Sequence, residues 1–464
     1  MNFLILIISL SFLIFITYKG YSVILFSIIA ALAAIILTDP LLAAPMFSNV
    51  FMVKMADFVK NYFPVFLLGA LFGKMIEISG FSKAIVVAVI KVLGHQMAIL
   101  SIVLVCAILT YGGVSLFVVV FAVYPFAAEL FKKGNIPKTL IPAVIALGSF
   151  TFTMDTLPGT PQIQNIIPAT FFGTSTWAAP WLGTIGAVFT LILGFLYLYR
   201  QKKKAEKANE GYGTGLINEP ETNVSQKLIS PWIAALPLVV VVVMNKVFTF
   251  IIPSFYGNTH TMPLPASSII ITTDVSNFAA LWAVEVALVL GILTVLAFAF
   301  KTVISRFIEG SKAAVTGALV ANLNTAAVVG FGAVIAALPG FMVIANALKS
   351  IHNPLVNEAV TVTALSGITG SASGGLTIAL TAMANTFIDN ADAAGISMEV
   401  LHRVGAMASG GMDTLPHNGA VITLLSVCGL THKQSYKHIF VVTLFIKILA
   451  VFFVIGIYYL FGIV

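Results

Sequence analysis

A five-residue string occurs twice in this 464-residue chain, as Met154-Asp155-Thr156-Leu157-Pro158 and as Met412-Asp413-Thr414-Leu415-Pro416. Each copy sets an acid, a hydroxyl and a proline inside an otherwise apolar stretch. Proline lacks the N–H that a helix interior needs and clashes with the preceding turn, so the string predicts a broken helix. At membrane depth such a break survives only where protein or a water-filled cavity satisfies the freed backbone, and an ionisable residue there marks a functional site by default. Removal from water disfavours the charged form of a carboxyl, which makes Asp155 and Asp413 candidates to carry a coupling proton. His417 lies four residues after Asp413 and shares its face if a helix resumes there. Imidazole titrates near neutral pH, so Asp413 with His417 is the better proton site; the first copy has Gly159 at that place. The plainer role for either aspartate is to cap the restarting half-helix. A sodium site built from these carboxylates and unwound carbonyls is the other ionic option.

Polar residues follow both breaks: Thr156, Thr160, Gln162 and Asn165 the first, Thr414 and Asn418 the second. They suit the hydroxyls of a small substrate, although each type alone more often packs or caps. Two further interruptions are glycine-rich, Thr110-Tyr111-Gly112-Gly113-Val114-Ser115 and Thr369-Gly370-Ser371-Ala372-Ser373-Gly374-Gly375. Gly112, Gly113, Gly374 and Gly375 permit close backbone approach. Half-helix N-termini present unpaired N–H groups and a positive dipole end to an anion, and Ser115, Thr369, Ser371 and Ser373 add hydroxyls beside them. That chemistry fits a small carboxylate; a tight hairpin turn with no ligand is the structural alternative.

The elements that must carry these residues are membrane helices. The chain is 59% hydrophobic and 9% charged, against about 25% charged in soluble domains, with a mean hydropathy of +1.05. Several apolar runs reach the roughly 20 residues that a bilayer crossing needs. The net charge of +7 is then read by position, because Lys and Arg mark the cytoplasmic side; it says nothing for nucleic acid. Cys106 and Cys428 both lie in apolar runs and read as inert buried thiols. No zinc-type spacing is present, and neither a metal nor a cofactor is expected. Residues 2–18 lack a basic n-region and a cleavage site and read as a retained first span with its N-terminus outside.

Taken in order, residues 2–18 and 21–39 read as spans and 44–60 as an interfacial segment. Residues 62–79 read as a span whose Gly69 and Gly73 favour close helix packing. The segment 96–131, flanked by Lys91 and Lys132-Lys133, reads as a re-entrant hairpin entering from the cytoplasm, in preference to a kinked span. Residues 137–173 form a discontinuous span and 176–199 return to Arg200-Gln201-Lys202-Lys203-Lys204. The second half repeats the plan with spans at 231–252, 281–300 and 313–338, joined across Lys301, Arg306 and Lys312. A second hairpin covers 356–387, its flanks Glu358, Asp389 and Asp392 placing it on the opposite side. A second discontinuous span covers 396–430 and a last span 438–462. Glu129, Glu285, His402 and Arg403 are expected mostly at the interface, with Arg403 able to attract an anion.

Asp155 and Asp413 are 258 positions apart, and the same offset carries Gly112 onto Gly370 and Ser115 onto Ser373. The charge flanks say that the two copies insert in opposite directions. The expected fold is therefore an all-α polytopic membrane protein of two inverted-topology repeats, each with about five spans, a re-entrant hairpin and a discontinuous helix, a plan common in secondary transporters. The divisions are 1–200, a cytoplasmic linker 201–230, and 231–464.

Three stretches carry a family resemblance: Leu109-Thr110-Tyr111-Gly112-Gly113-Val114-Ser115-Leu116-Phe117, Leu157-Pro158-Gly159-Thr160-Pro161-Gln162-Ile163-Gln164-Asn165, and Leu415-Pro416-His417-Asn418-Gly419-Ala420. Together they resemble the gluconate permease family of bacterial symporters, and the likeness spans nearly the whole chain. The resemblance implies proton-coupled import of a small organic acid by an elevator-type carrier in the bacterial inner membrane. Within that family the chain is similar to the hydroxy-acid, 3-hydroxybutyrate-like branch. The sugar-acid members carry an acid near the position of Gly113 and His with Pro in the first break; this chain has Gly113 at the former and no His in the latter. The expected partners are a small carboxylate, a proton or sodium as coupling ion, the lipid bilayer and a second copy of the chain in a homodimer.

Other classes fit less well. Intramembrane aspartyl proteases also use two buried aspartates, but in Tyr-Asp and Gly-x-Gly-Asp settings, whereas here the aspartates stand in Thr153-Met154-Asp155 and Gly411-Met412-Asp413. No His-Glu-x-x-His, nucleophile elbow or phosphate loop occurs. A sodium-coupled carboxylate symporter and a sodium-proton antiporter remain as alternatives, and a channel has little use for a carboxyl in each half.

Overall fold

The computed structural model describes residues 2–19, 21–94, 97–114, 116–213, 217–219, 229–263, 270–341, 343, 351–416 and 418–464. Ser115 and His417, both expected at the site, lie outside the described residues. Among those described, five helices are long and apolar enough to cross a bilayer: Pro40–Ile78, Pro180–Lys207, Pro231–Tyr256, Phe278–Ala337 and His432–Phe461. Shorter apolar helices include Asn2–Tyr18, Val23–Thr38 and Ala98–Tyr111. The chain is an all-α, multi-pass membrane protein, relieved among the described residues by one antiparallel β-pair, Thr259–Pro263 with Ile270–Asp274. That pair occupies the polar stretch between two long helices, where β-branched Ile270, Ile271, Thr272 and Thr273 favour extension.

The helix boundaries follow local chemistry. Pro180, Pro231 and Pro354 open their helices at the first turn, where the missing N–H costs nothing. Asn353 and Ser371 cap the two arms of one hairpin by accepting from Val356 N and Gly374 N. Two sequence expectations are corrected. Residues 44–60 are not an interfacial segment separate from a following span: helix runs from Pro40 through a π-turn at Phe47–Phe51 to Ile78, because Pro64 is tolerated inside it. The expected break after residue 300 is present as a kink at Ala299 (φ −132°, ψ 25°), where two helices that together run from Val275 to Ala337 meet, but the basic residues Lys301, Arg306 and Lys312 that follow it are helical and not a loop. Gly69 meets nothing within 4 Å of its Cβ direction, so it does not mediate the close packing expected of it.

Four shorter elements pack among the long helices. Helices Ala98–Tyr111 and Leu116–Lys133 form a first hairpin, and Pro354–Thr369 and Ala372–Ala393 a second. The first broken helix comprises Ile141–Ser149, Phe152–Asp155 and Ile163–Phe172. The second comprises Met398–Ser409, a 3₁₀ turn Met412–Thr414, and Gly419–Val427. Lipid supplies no hydrophobic drive between helices, so small residues decide their approach. Gly148 of the first broken helix faces Val103 O and Cys106 of the first hairpin, and Gly375 faces the backbone of Ser366 between the two arms of the second. Most of the buried apolar side chains form one continuous core, and a smaller cluster joins the first two helices to Phe331–Phe341.

Candidate functional site

The two helix breaks meet inside the core. Helix Ile163–Phe172, from the first broken helix, packs on helix Met398–Ser409, from the second. Gln164 Nε2 donates to Asp413 Oδ2 at 2.9 Å, and Gly410 faces the Asp155 carboxyl so closely that a Cβ there would run into it. Arg403 Nη1 donates to Asp155 O at 3.2 Å. Residues about 250 positions apart thus share one polar centre.

Asp155 is wholly buried and forms an ion pair with Lys447 of the last helix, itself 1% exposed. Thr156 Oγ1 joins them, donating to Asp155 Oδ1 and accepting from Lys447 Nζ at 2.6 Å. A carboxylate and an ammonium are kept out of water only when each satisfies the other, and this cluster does so with neutral help from a threonine. Arg403 is completely buried. Its five guanidinium N–H groups match five bonds: to Ala178 O twice, and to Asp155 O, Asn165 Oδ1 and Thr176 O once each. It therefore pins the loop after the first break and presents no free fork to a ligand. The expectation that Arg403 and His402 lie at the interface is corrected, since His402 is equally buried between Thr174 and Asn165.

Asp413 is only partly buried and differs in kind. Its Oδ1 accepts from Ala372 N at 2.8 Å, at the N-terminus of the second arm of the second hairpin. Its Oδ2 takes the Gln164 amide from the other half of the chain. A carboxylate at a helix start is favoured by the unpaired N–H groups and by the dipole. Gln164 Oε1 is buried and has no hydrogen-bond partner among the described residues.

Each hairpin tip is bound to the break facing it. Gln162 Nε2 donates to Thr110 O at 2.8 Å and Tyr111 OH to Pro158 O at 2.8 Å. Asn418 Nδ2 donates to Gly370 O at 2.8 Å while its Oδ1 caps the restarting helix at Ala420 N. Gly113 and Gly370 hold φ of 95° and 63°, which ends the first arm of each hairpin at a cost only glycine escapes.

Other candidates are placed less directly. Gly112 faces Leu238 of helix Pro231–Tyr256, and Gly374 stands against Val328 and Ser371. Thr160 Oγ1 is spent on Thr153 O, Thr369 Oγ1 on Leu365 O, and Thr414 Oγ1 lies 2.6 Å from Thr443 Oγ1. Asn165 uses its amide on Thr160 O and Thr176 O. Ser371 caps its helix, and Ser373 at 6% exposure supplies a carbonyl to Thr377.

Sequence reasoning passed over Lys447, Gln164 and Tyr111, and took Glu358 for an external flank although it is completely buried. Lys447 is the one lysine within the apolar helix Ile446–Phe461, and a lone intramembrane charge is itself a signal.

No family model matches the chain. It is 52% identical over 473 aligned positions to the "Uncharacterized transporter YxjC" of Bacillus subtilis (strain 168), an alignment that covers 100% of both proteins. Likeness of that order along a whole polytopic chain carries the fold and the general role with it, so the protein is a membrane transporter and belongs to the same transporter family as the Bacillus protein.

Proposed function

We propose that the protein is a secondary active transporter importing a small hydroxycarboxylate, such as 3-hydroxybutyrate or a sugar acid, by proton symport across the bacterial cytoplasmic membrane. This places it in the gluconate permease family, with hairpins and broken helices moving as an elevator against the long helices. The observation that carries the reading is the paired attachment of tips to breaks. Gln162 holds the first tip at Thr110 O, and Asn418 holds the second at Gly370 O. A side-chain amide from each break thus holds the hairpin tip of its own half, in keeping with two inverted repeats, 1–200 and 231–464, around the linker 201–230. These bonds also make the tips the parts that open to admit a ligand.

Charge arithmetic supports symport. Asp155, Asp413, Lys447 and Arg403 sum to zero when all are ionised. A substrate anion entering alone would leave an uncompensated charge in a low-dielectric centre, which costs several kcal/mol. A proton entering with it restores neutrality. Asp413 is the group we assign to that proton, with His417 as its relay. A protonated carboxyl becomes a donor at one oxygen, so it gives up one of its two N–H bonds. Gln164 reads the change: a turn of its amide presents the unpartnered Oε1 to the new O–H. Loss of the Ala372 bond would instead release the second hairpin tip.

Uptake into proteoliposomes tests the reading. A panel of competing acids is expected to show inhibition by hydroxy acids and none by neutral sugars. Asp413→Asn is expected to retain substrate exchange and lose accumulation against a gradient. Full proton-driven accumulation in Asp413→Asn would move the coupling site elsewhere, and a sodium requirement at constant pH would replace the proton by a metal ion.

A further inference from the structure

Of the carboxyls at the polar centre, buried Asp155 is paired with Lys447 and half-buried Asp413 accepts two N–H groups. Glu358 has neither. It is 0% exposed, and both its carboxyl oxygens lack a hydrogen-bond partner among the described residues. It stands in the first arm of the second hairpin, Pro354–Thr369, facing Gly405 of the second broken helix; a Cβ built on Gly405 would lie 2.6 Å from Glu358 Oε1. Glycine at 405 leaves the space that the carboxyl fills.

The charged and titratable groups on the elements packed around it are all engaged or turned away. On the second arm, Asp389 and Asp392 are exposed. On helix Met398–Ser409, Glu399 is exposed and accepts from Ala179 N, His402 is bound to Thr174 and Asn165, and Arg403 has spent its donors. On the last helix, Lys447 is held by Asp155 and Thr156, and the Tyr459 hydroxyl by Asn353. His352, just ahead of the hairpin, is exposed, and helix Asn2–Tyr18 carries no Asp, Glu, Lys, Arg or His. An ionised carboxylate in this place would be buried without a counter-charge or a hydrogen-bond donor, which is strongly unfavourable. The neutral acid escapes that cost.

We propose that Glu358 is a proton-binding site of the transport cycle, carrying its proton while the second hairpin lies against helix Met398–Ser409 and releasing it to water when they part. The proton comes from and returns to solvent, the carboxylate becoming the acid and back, with no other bond changed. The site lies between two elements and not inside one, so their separation is what wets it. It also lies on the hairpin whose tip is held by Asp413 and Asn418, about 18 Å of helix away. This deepens the symport reading above and rests on it for its place in the cycle.

Glu358→Gln keeps the shape and neutrality of the protonated side chain, so burial and packing are preserved. Two measurements separate the proposal from the reading beneath it. Infrared spectroscopy of the wild-type protein in membranes at neutral pH should contain a protonated-carboxyl carbonyl band that Glu358→Gln removes; an unchanged band overturns the proposal, whatever the substrate. In proteoliposomes Glu358→Gln should retain equilibrium exchange of 3-hydroxybutyrate and take up fewer protons per substrate than the wild type, Asp413 still carrying its own. A wild-type ratio of protons to substrate in the variant also overturns it. Absence of any substrate-driven proton uptake in the wild type would defeat the symport reading, while the infrared band still decides whether Glu358 holds a proton.

Discussion

Lys447 reaches from the last helix to a carboxyl in the first break, and both groups are about 1% exposed. Removing one member of such a pair leaves the other buried and unpaired, at roughly 3–5 kcal/mol, whereas removing both is close to neutral. Lys447→Met is therefore expected to lower the thermal unfolding temperature in detergent substantially, and Lys447→Met with Asp155→Leu to recover most of the loss. Equal melting of the single and double variants would mean that the two groups are not coupled. Arg403 makes a sharper demand, because its bonds need a planar fork. Arg403→Lys retains the charge but cannot reproduce five donors in that geometry. It is expected to destabilise nearly as much as Arg403→Ala in the same assay; stability close to wild type would mean that only the charge matters.

The hairpins depend on their tips and on the contact between their arms. Asn418 serves the second hairpin twice, holding Gly370 O and capping helix Gly419–Val427 through Ala420 N. Each role is worth about 1 kcal/mol, so Asn418→Ala is expected to loosen the tip without unfolding the protein. A cysteine at Ser373, 6% exposed beside that tip, reports the change once Cys106 and Cys428 are replaced by serine. Labelling by a water-soluble maleimide should be faster in Asn418→Ala than in its absence, and equal rates would remove Asn418 from tip control. Gly375 works differently, since its hydrogen faces the Ser366 backbone across the hairpin. Any larger residue there must separate the arms.

Over the whole molecule, basic charge and apolar length set the arrangement in the bilayer. Arg200-Gln201-Lys202-Lys203-Lys204 lies in the continuation of helix Pro180–Lys207 beyond its apolar part, and His432-Lys433 opens the last long helix. From the positive-inside rule we propose that both clusters face the cytoplasm. Cysteines at Lys202 and Lys433 are expected to resist impermeant reagents applied to intact cells and to react after the membrane is opened; labelling from outside would invert the assignment. The same side gathers the chain in another way. Lys138 Nζ donates to Ile217 O and to Glu219 Oε1 at 2.7 Å each, and Asn218 Nδ2 to Ser426 O. Part of the linker thus lies across the start of the first broken helix and the end of the second.

The broken helices and glycine-tipped hairpins were legible because proline and glycine act locally: one removes an N–H, the other permits positive φ, and neither needs a partner from elsewhere in the chain. The membrane class was legible from composition, since apolar length is a property of the sequence alone. Asp155 and Asp413 were found for the same reason, as acids inside local breaks. What each aspartate touches was not. Glycine at 159 made Asp155 look the less equipped of the two, yet its partner is Lys447, almost 300 positions away and supplied by packing of the last helix. Gln164 and Glu358 carry no local mark, and whether such a group is bonded or stranded depends on which helix faces it. The run from Val275 to Ala337 was legible in part: a break stands at Ala299, where two helices meet at a kink, but the lysines and arginine beyond it read as a loop while the backbone bonds of a helix persist through them. Hydrogen bonds within a helix close over four residues and can be read from the sequence, whereas the pairing of buried charges closes over the whole chain and only the tertiary structure decides it.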